Sequence, residues 1–340
     1  MNVRMALQIA ICMTVVLTPV KASTAEGDAS TYIVNGSEVS VQTFPSFVSL
    51  FFDQFDSSGL YQNYCGGTIL DPYHVLTAAH CVEGDSYYYT YTSIAPQLQH
   101  EQQIFSPFRG LEQVELIRGS EFYYPDTFVD SASASWPDDI AIIKLEQPMA
   151  VSSADYAQLA TLSDKARYDI VGTPMTVIGH GYTRSSSDDT QALQGVTQTL
   201  LSNMQCASAN ISSNQLCLQG AFNSVSGLLD STCGGDSGGP LYWYDGSQYI
   251  QVGITSFGPS QCGDPDADYS SAYIEVAEYR QWIAAVLDGR VTPKIIVTEF
   301  DRENYTPEED SDDFATQSAG AIGWFWLCIV WLGRRRTLLP

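Results

Sequence analysis

Along most of the chain, apolar residues fall in short runs that Gly, Pro, Ser and Asp interrupt. Phe47-Val48-Ser49-Leu50-Phe51-Phe52, Ile140-Ala141-Ile142-Ile143-Lys144-Leu145, Met175-Thr176-Val177-Ile178 and Tyr249-Ile250-Gln251-Val252-Gly253-Ile254 are examples. Runs of this length between turn residues predict strands, and an all-β sandwich or barrel spanning Ile33 to Leu287. One stretch has a different period. Val276, Tyr279, Trp282, Ile283 and Val286 recur at helical spacing, which predicts an amphipathic helix closing the domain. No internal repeat is present.

Both ends depart from this pattern. Met1 to Arg4 make a short basic start, Met5 to Val20 are mostly apolar, and small residues follow at Ala22, Ser23 and Ala25. This order reads as a secretory leader over 1–22, too short in its apolar part for a membrane span. The small, polar stretch 23–32 reads as a propeptide. Past the expected helix, the acids Glu299, Asp301, Glu303, Glu308, Glu309, Asp310, Asp312 and Asp313 crowd the chain. Residues 288–318 therefore read as an acidic, self-repelling linker without fixed structure. At 319–340 a short Trp-rich apolar run meets Arg334-Arg335-Arg336, a pattern suited to membrane insertion with the arginines cytoplasmic.

Charge and cysteines narrow the possible settings. The formal net charge of −24 over 340 residues repels phosphate, so a nucleic-acid partner is excluded. Of the eight cysteines, Cys12 lies in the leader and Cys328 in the terminal apolar run. The remaining Cys65, Cys81, Cys206, Cys217, Cys233 and Cys262 lack the two-residue spacing of zinc knuckles. For an exported chain they predict three disulfides, with fifteen pairings open on composition alone. No metal or cofactor is expected.

Gly235-Asp236-Ser237-Gly238-Gly239-Pro240 is the stretch richest in chemistry. It contains G-x-S-x-G, the nucleophile elbow of α/β-hydrolases, but that fold requires a histidine after the serine. His74, His80, His100 and His180 all precede Ser237, so that reading fails on chain order. The order that remains is His, Asp, Ser. His80 lies in Thr77-Ala78-Ala79-His80-Cys81, crowded by small residues and beside a cysteine able to pin its loop. Asp139 opens Asp139-Ile140-Ala141-Ile142, an acid at the lip of an apolar strand. Burying a carboxylate there is costly without hydrogen-bond donors, and an imidazole N–H is a suitable one. His180, in Gly179-His180-Gly181, is expected as a loop residue outside the chemistry, and His74 and His100 as ordinary surface or strand histidines. Tyr87-Tyr88-Tyr89 is expected in a strand or loop.

These three motifs, in this order, resemble the signatures of the trypsin/chymotrypsin family of serine endopeptidases, over about Ile33 to Leu287. The resemblance implies two six-stranded antiparallel β-barrels, an active site between them and a C-terminal helix. It implies Ser237 as nucleophile, His80 as general base and then acid, and Asp139 rather than Asp138 as the acid that orients His80. It implies an oxyanion hole from the backbone N–H groups of Gly235 and Ser237, and Ser256 as a support for the aspartate. The implied disulfides are Cys65–Cys81, Cys206–Cys217 and Cys233–Cys262.

The resemblance extends to activation and specificity. Ile33-Val34-Asn35-Gly36 is similar to the N-terminus that such proteases gain on cleavage, whose ammonium pairs with the aspartate before the serine, here Asp236. Tyr32 precedes the cut, so a trypsin-type activator is not expected. Ser231 falls at the pocket floor, with Gly258 and Ser271 at the walls. A neutral floor favours large apolar or aromatic side chains, because a buried cation would lack a counter-charge. Asp230, Asp266 and Asp268 lie near enough in sequence to restore a preference for Arg or Lys by turning inward. The tail resembles the sorting signals of some Gram-negative secreted proteases, with Ala319 where a glycine is usual. That implies a sorting protease and secretion machinery as partners, besides protein or peptide substrates, and a secreted or cell-surface monomer. An inactive homologue that binds the envelope is the reading from another class.

Overall fold

A computed structural model describes residues 33–53, 61–84, 86–181 and 192–305. The expected leader, propeptide and C-terminal apolar run lie outside them. Twelve strands carry the fold. The first six are β1 (Phe47–Asp53), β2 (Tyr61–Asp71), β3 (His74–Thr77), β4 (Thr92–Pro96), β5 (Ile117–Tyr123) and β6 (Ala141–Leu145). They pair in the order β5-β4-β1-β2-β3-β6, and a β5–β6 ladder closes the ring. The second six are β7 (Pro174–Gly179), β8 (Gln194–Leu200), β9 (Gln215–Gly220), β10 (Pro240–Tyr244), β11 (Tyr249–Phe257) and β12 (Ser271–Glu275). Their order is β8-β9-β12-β11-β10-β7, closed by β7–β8. The result is two six-stranded antiparallel barrels, with no sheet edge left along the closing strands.

The apolar runs read from the sequence lie in β1, β6, β7 and β11. Val48, Leu50, Ile69, Val75, Ile94, Phe122 and Ile142 fill the first barrel, and Val177, Leu218, Leu241, Val252 and Tyr273 the second. Residues 276–287 form the closing helix, a 3₁₀ turn (Val276–Tyr279) running into Arg280–Leu287. Its Tyr279, Ile283 and Val286 pack into the core of the first barrel together with Ile254 and Ile274 of the second. The helix thus joins the two halves. Ser37–Glu38, near the start, pairs with β8 and ties the N-terminal segment to the second barrel.

Two expectations are corrected. Tyr87–Tyr89 belong to a short helix, Ser86–Thr90, whose rings pack on Phe52, Tyr64, Tyr91 and Phe122 in place of pairing a strand. The segment 288–318, expected to lack fixed structure, is ordered through Tyr305. Ile295–Ile296 add a short strand to β5, Val297 is buried in the first barrel, and Glu299–Glu303 form a capped helical turn. The crowd of acids hid an apolar triplet and one arginine, Arg302, that this strap needs to dock. Among the described residues, no helix is long and apolar enough to cross a membrane.

Candidate active site

His80 sits in a 3₁₀ turn, Ala79–Cys81, directly after β3. Ala78 and Ala79 are fully buried, so only small side chains fit behind the imidazole. The Cys65–Cys81 disulfide ties the turn to β2. Cys65, His80 and Cys81 lie close enough to share an ion, but both sulfurs are already bonded to each other.

Asp139 is fully buried just before β6. Its Oδ1 accepts from the His80 backbone N–H at 2.9 Å, and its Oδ2 from His80 Nδ1 at 2.7 Å and Ser256 Oγ at 2.5 Å. Burial pushes this carboxyl up, but the imidazole's charge and these donors together hold it below the usual range. The partner shift agrees. Burial pulls His80 down, while the charge and hydrogen bond of Asp139 outweigh it and raise the imidazole. Asp138 instead accepts from the Tyr279 hydroxyl at 2.5 Å, so the two adjacent acids have different partners.

The loop before Asp139 is strained. Ser135, Trp136 and Asp138 all take left-handed conformations, at φ of 59°, 41° and 55°. Bulky residues avoid this region, so surrounding contacts must impose it. Buried Gln215 donates to the Ser135 carbonyl at 2.7 Å and the Trp136 carbonyl at 3.4 Å, and Ser135 Oγ donates to the Ala209 carbonyl at 2.9 Å.

Ser237 is half-buried on the loop before β10. Its carbonyl accepts from the Gly66 N–H at 2.7 Å, and the Gly238 N–H donates to the Thr255 carbonyl at 2.8 Å. Gly238 has φ of 75°, and a Cβ there would lie 2.1 Å from Thr77 Oγ1 and 2.6 Å from the Gly66 carbonyl. Only glycine lets the serine loop press against the strand ends that carry the His80 turn. Gly235, also at positive φ (92°), turns the backbone just upstream.

Asp236 points the other way, into the protein. Its Oδ1 accepts from the Gly181 N–H at 3.0 Å and its Oδ2 from the Cys233 N–H at 2.9 Å. Burial pushes it up to about 7 despite these two donors. Ile33 is buried as well, and Val34 N–H donates to the Ser231 carbonyl at 2.7 Å, so the N-terminal segment is threaded beside the serine loop.

The disulfides Cys206–Cys217 and Cys233–Cys262 also close. Ser231 is buried, its Oγ donating to the carbonyls of Thr232 (2.8 Å) and Ser270 (3.1 Å). A Cβ on Gly258 would meet only the Ser270 carbonyl, at 3.1 Å. Buried Ser271 bonds Thr232 and Gln198. The nearby acids are engaged elsewhere. Asp230 accepts from Asn35 Nδ2 at 3.0 Å, Asp268 from Ser208, and Asp266 is exposed.

Three histidines lie outside the cluster. His74 starts β3 and bonds Asp71. His100, expected on a surface or strand, is buried at the start of a 3₁₀ turn whose Gln103 folds back onto it. His180 follows β7, buried, with Nδ1 2.9 Å from Ser49 Oγ, and burial lowers it to about 4. Sequence reasoning missed Gln198, Thr232 and Gln215. The legible signal for Gln198 was an amide at an inward position of an alternating strand, between Val196 and Leu200.

Comparison with known proteins agrees with this geometry. A family model described as Trypsin matches residues 33–283. Chymotrypsin-like elastase family member 1 of Homo sapiens is 28% identical over 260 residues, 75% of this chain and 92% of that protein. Fibrinolytic enzyme, isozyme C, of Lumbricus rubellus is 28% identical over 264 residues, 74% of this chain and 98% of that protein. Chymotrypsin of Phaedon cochleariae is 28% identical over 261 residues, 76% of this chain and 83% of that protein.

Proposed function

This chain belongs to the trypsin family of serine endopeptidases, and from that premise we propose that it is an exported endopeptidase working through His80, Asp139 and Ser237. Ser237 Oγ attacks the scissile carbonyl while His80 Nε2 takes its proton. The N–H groups of Gly235 and Ser237 hold the oxyanion of the tetrahedral intermediate. The intermediate collapses to an acyl-enzyme as His80 returns the proton to the leaving amine. Water then repeats the sequence on the acyl group. Asp139 keeps Nδ1 protonated and balances the imidazolium charge.

The single observation that carries this reading is the buried Asp139 carboxylate, bonded to both the backbone and the ring of His80 and to Ser256. A charge is kept in such a place when a partner's charge develops against it. Active-site labelling with a serine-directed phosphonate tests it: wild type labels and Ser237→Ala does not. Equal labelling of both overturns the assignment.

The chain is made as a zymogen cut before Ile33. The new ammonium then pairs with Asp236, a carboxylate whose burial calls for an opposite charge. The neutral floor at Ser231, with Asp230 turned onto Asn35, supports a chymotrypsin-like preference for large apolar or aromatic residues and self-cleavage after Tyr32. The leader pattern and three disulfides support export. The segment 319–340 acts as a sorting signal or an anchor, and mass spectrometry of the mature C-terminus separates the two.

A further inference from the structure

Behind the pocket proposed above, Gln198 is completely buried in β8 between apolar neighbours. The orientation of its amide is dictated by its surroundings. Nε2 lies 3.2 Å from the Asp230 carbonyl and Oε1 2.6 Å from the Tyr273 hydroxyl. Turning the amide over would set two carbonyl oxygens against each other, so the NH₂ edge faces Asp230. The same nitrogen donates to Ser271 Oγ at 3.0 Å, and the Thr232 backbone N–H donates to that oxygen at 3.2 Å.

Proton directions follow from this. With both lone pairs of Ser271 Oγ engaged, its own proton is left for Thr232 Oγ1, 2.8 Å away, or for the Tyr273 hydroxyl, and in either case that oxygen is closed to a proton from Thr232. Thr232 is then left with a hydroxyl proton that has no acceptor among the described residues, although the residue is only 7% exposed. Ser231 beside it has the reverse balance. Its proton is spent on the carbonyls of Thr232 and Ser270, which leaves its lone pairs open. A ligand that accepts from Thr232 and donates to Ser231 completes both. A phenol hydroxyl does so, and a bare phenyl ring leaves a buried donor unmet.

We propose that Gln198 is a positioning residue for specificity: by setting the proton direction in the Ser271–Thr232 pair, it makes the pocket select tyrosine over phenylalanine. The proposal rests on the reading of Ser231 and Ser271 as the floor and wall of the primary pocket. Tyr32, at the activation junction, presents the same side chain.

The test uses activated full-length enzyme and peptides differing only in Tyr, Phe or Arg before the scissile bond. Wild type is expected to show a Tyr:Phe ratio in kcat/KM of about ten or more. Thr232→Val and the volume-conserving Gln198→Met are each expected to bring that ratio to near one. A merely structural loss lowers both rates together and leaves the ratio in place. A wild-type ratio near one, or a ratio unmoved in either variant, overturns the proposal. Should Gln198→Met fail to fold, Gln198→Leu is read on the same ratio in its place. Cleavage after Arg alone overturns instead the reading of the pocket on which the proposal stands.

Discussion

His80 Nδ1 lies 2.7 Å from Asp139 Oδ2, and the backbone N–H of the same histidine is 2.9 Å from Oδ1. One carboxylate therefore grips one residue twice. The backbone bond locates the turn, and the ring bond sets tautomer and direction, leaving Nε2 as the basic atom. Ser256 closes the remaining position on Oδ2. With no water needed to satisfy it, the charge persists in a dry site where it acts on the imidazole with little screening.

Activity should fall on the acid side with a midpoint above the ordinary histidine value of about 6.5, since Asp139 raises the imidazole against the opposing pull of burial. The sign follows from the base being active only when neutral. Asp139→Asn removes the charge and keeps the burial, so the midpoint moves to lower pH while kcat drops by about 10⁴-fold. Profiles of kcat/KM against pH for the two enzymes check this, and an unmoved midpoint argues against the pairing.

Asp236 gives the uncleaved chain a distinct pH dependence. Burial holds its folded pKa at about 7, whereas an unfolded aspartate titrates near about 3.9. Below the lower value both states are protonated. Between the two, the folded chain retains a proton that the unfolded chain has released, so stability falls as pH rises through this window. Urea unfolding of a Ser237→Ala chain kept uncleaved should show a stability loss between about pH 4.5 and 8. Adding Asp236→Asn should flatten it. The proposed cleavage before Ile33 would supply a cation and remove the penalty. Equal pH slopes with and without Asp236 would rule this out.

The legible and illegible parts of the molecule differ in a physical way. Strands such as Ala141–Leu145 were readable because burial on both faces leaves a run that is apolar but for Lys144. His80 and Ser237 were readable as candidates because each stands among small neighbours, and Asp139 because an acid opens an apolar strand there. The partner of Asp230 was not readable, since Asn35 comes from 195 residues away and only the closed second barrel brings them together. The strap at 288–305 was hidden for a related reason: composition averages over a window, and the side chains that bury on docking, Val297 and Arg302, are only two among many acids.

The strained loop before Asp139 should be sensitive to Gln215. Gln215→Leu leaves the Ser135 carbonyl, and with it Trp136, without the donor that holds them in left-handed conformations. An unmet buried acceptor costs about 1–3 kcal/mol, so the urea midpoint should fall accordingly. Because the loop runs directly into Asp139, kcat should fall as well, with KM for a small ester substrate little changed. Stability lost without any change in kcat would mean that Asp139 is held independently of this loop.

Arg302 is the side chain on which docking of the strap depends. It is 6% exposed, and its guanidinium donates to the Thr90 carbonyl at 3.1 Å, the Gly119 carbonyl at 2.7 Å and Glu146 Oε1 at 2.5 Å. Those acceptors belong to the segments before β4, within β5 and after β6, so one residue fastens three parts of the first barrel. Around it, the Lys294 N–H donates to the Phe122 carbonyl and the Val297 N–H to the Ser120 carbonyl, both at 2.8 Å. Arg302→Met keeps the apolar stem but strands two buried carbonyls and a carboxylate, at an expected cost of about 3 kcal/mol. Truncation after Leu287 should cost at least as much, since it also exposes the pocket that Val297 fills in the barrel core. Urea unfolding of the Ser237→Ala background, where self-digestion cannot interfere, measures both. If either variant unfolds within about 0.5 kcal/mol of the parent, the strap is a passive appendage. The result expected is that the catalytic domain ends not at its closing helix but at the arginine turn beyond it.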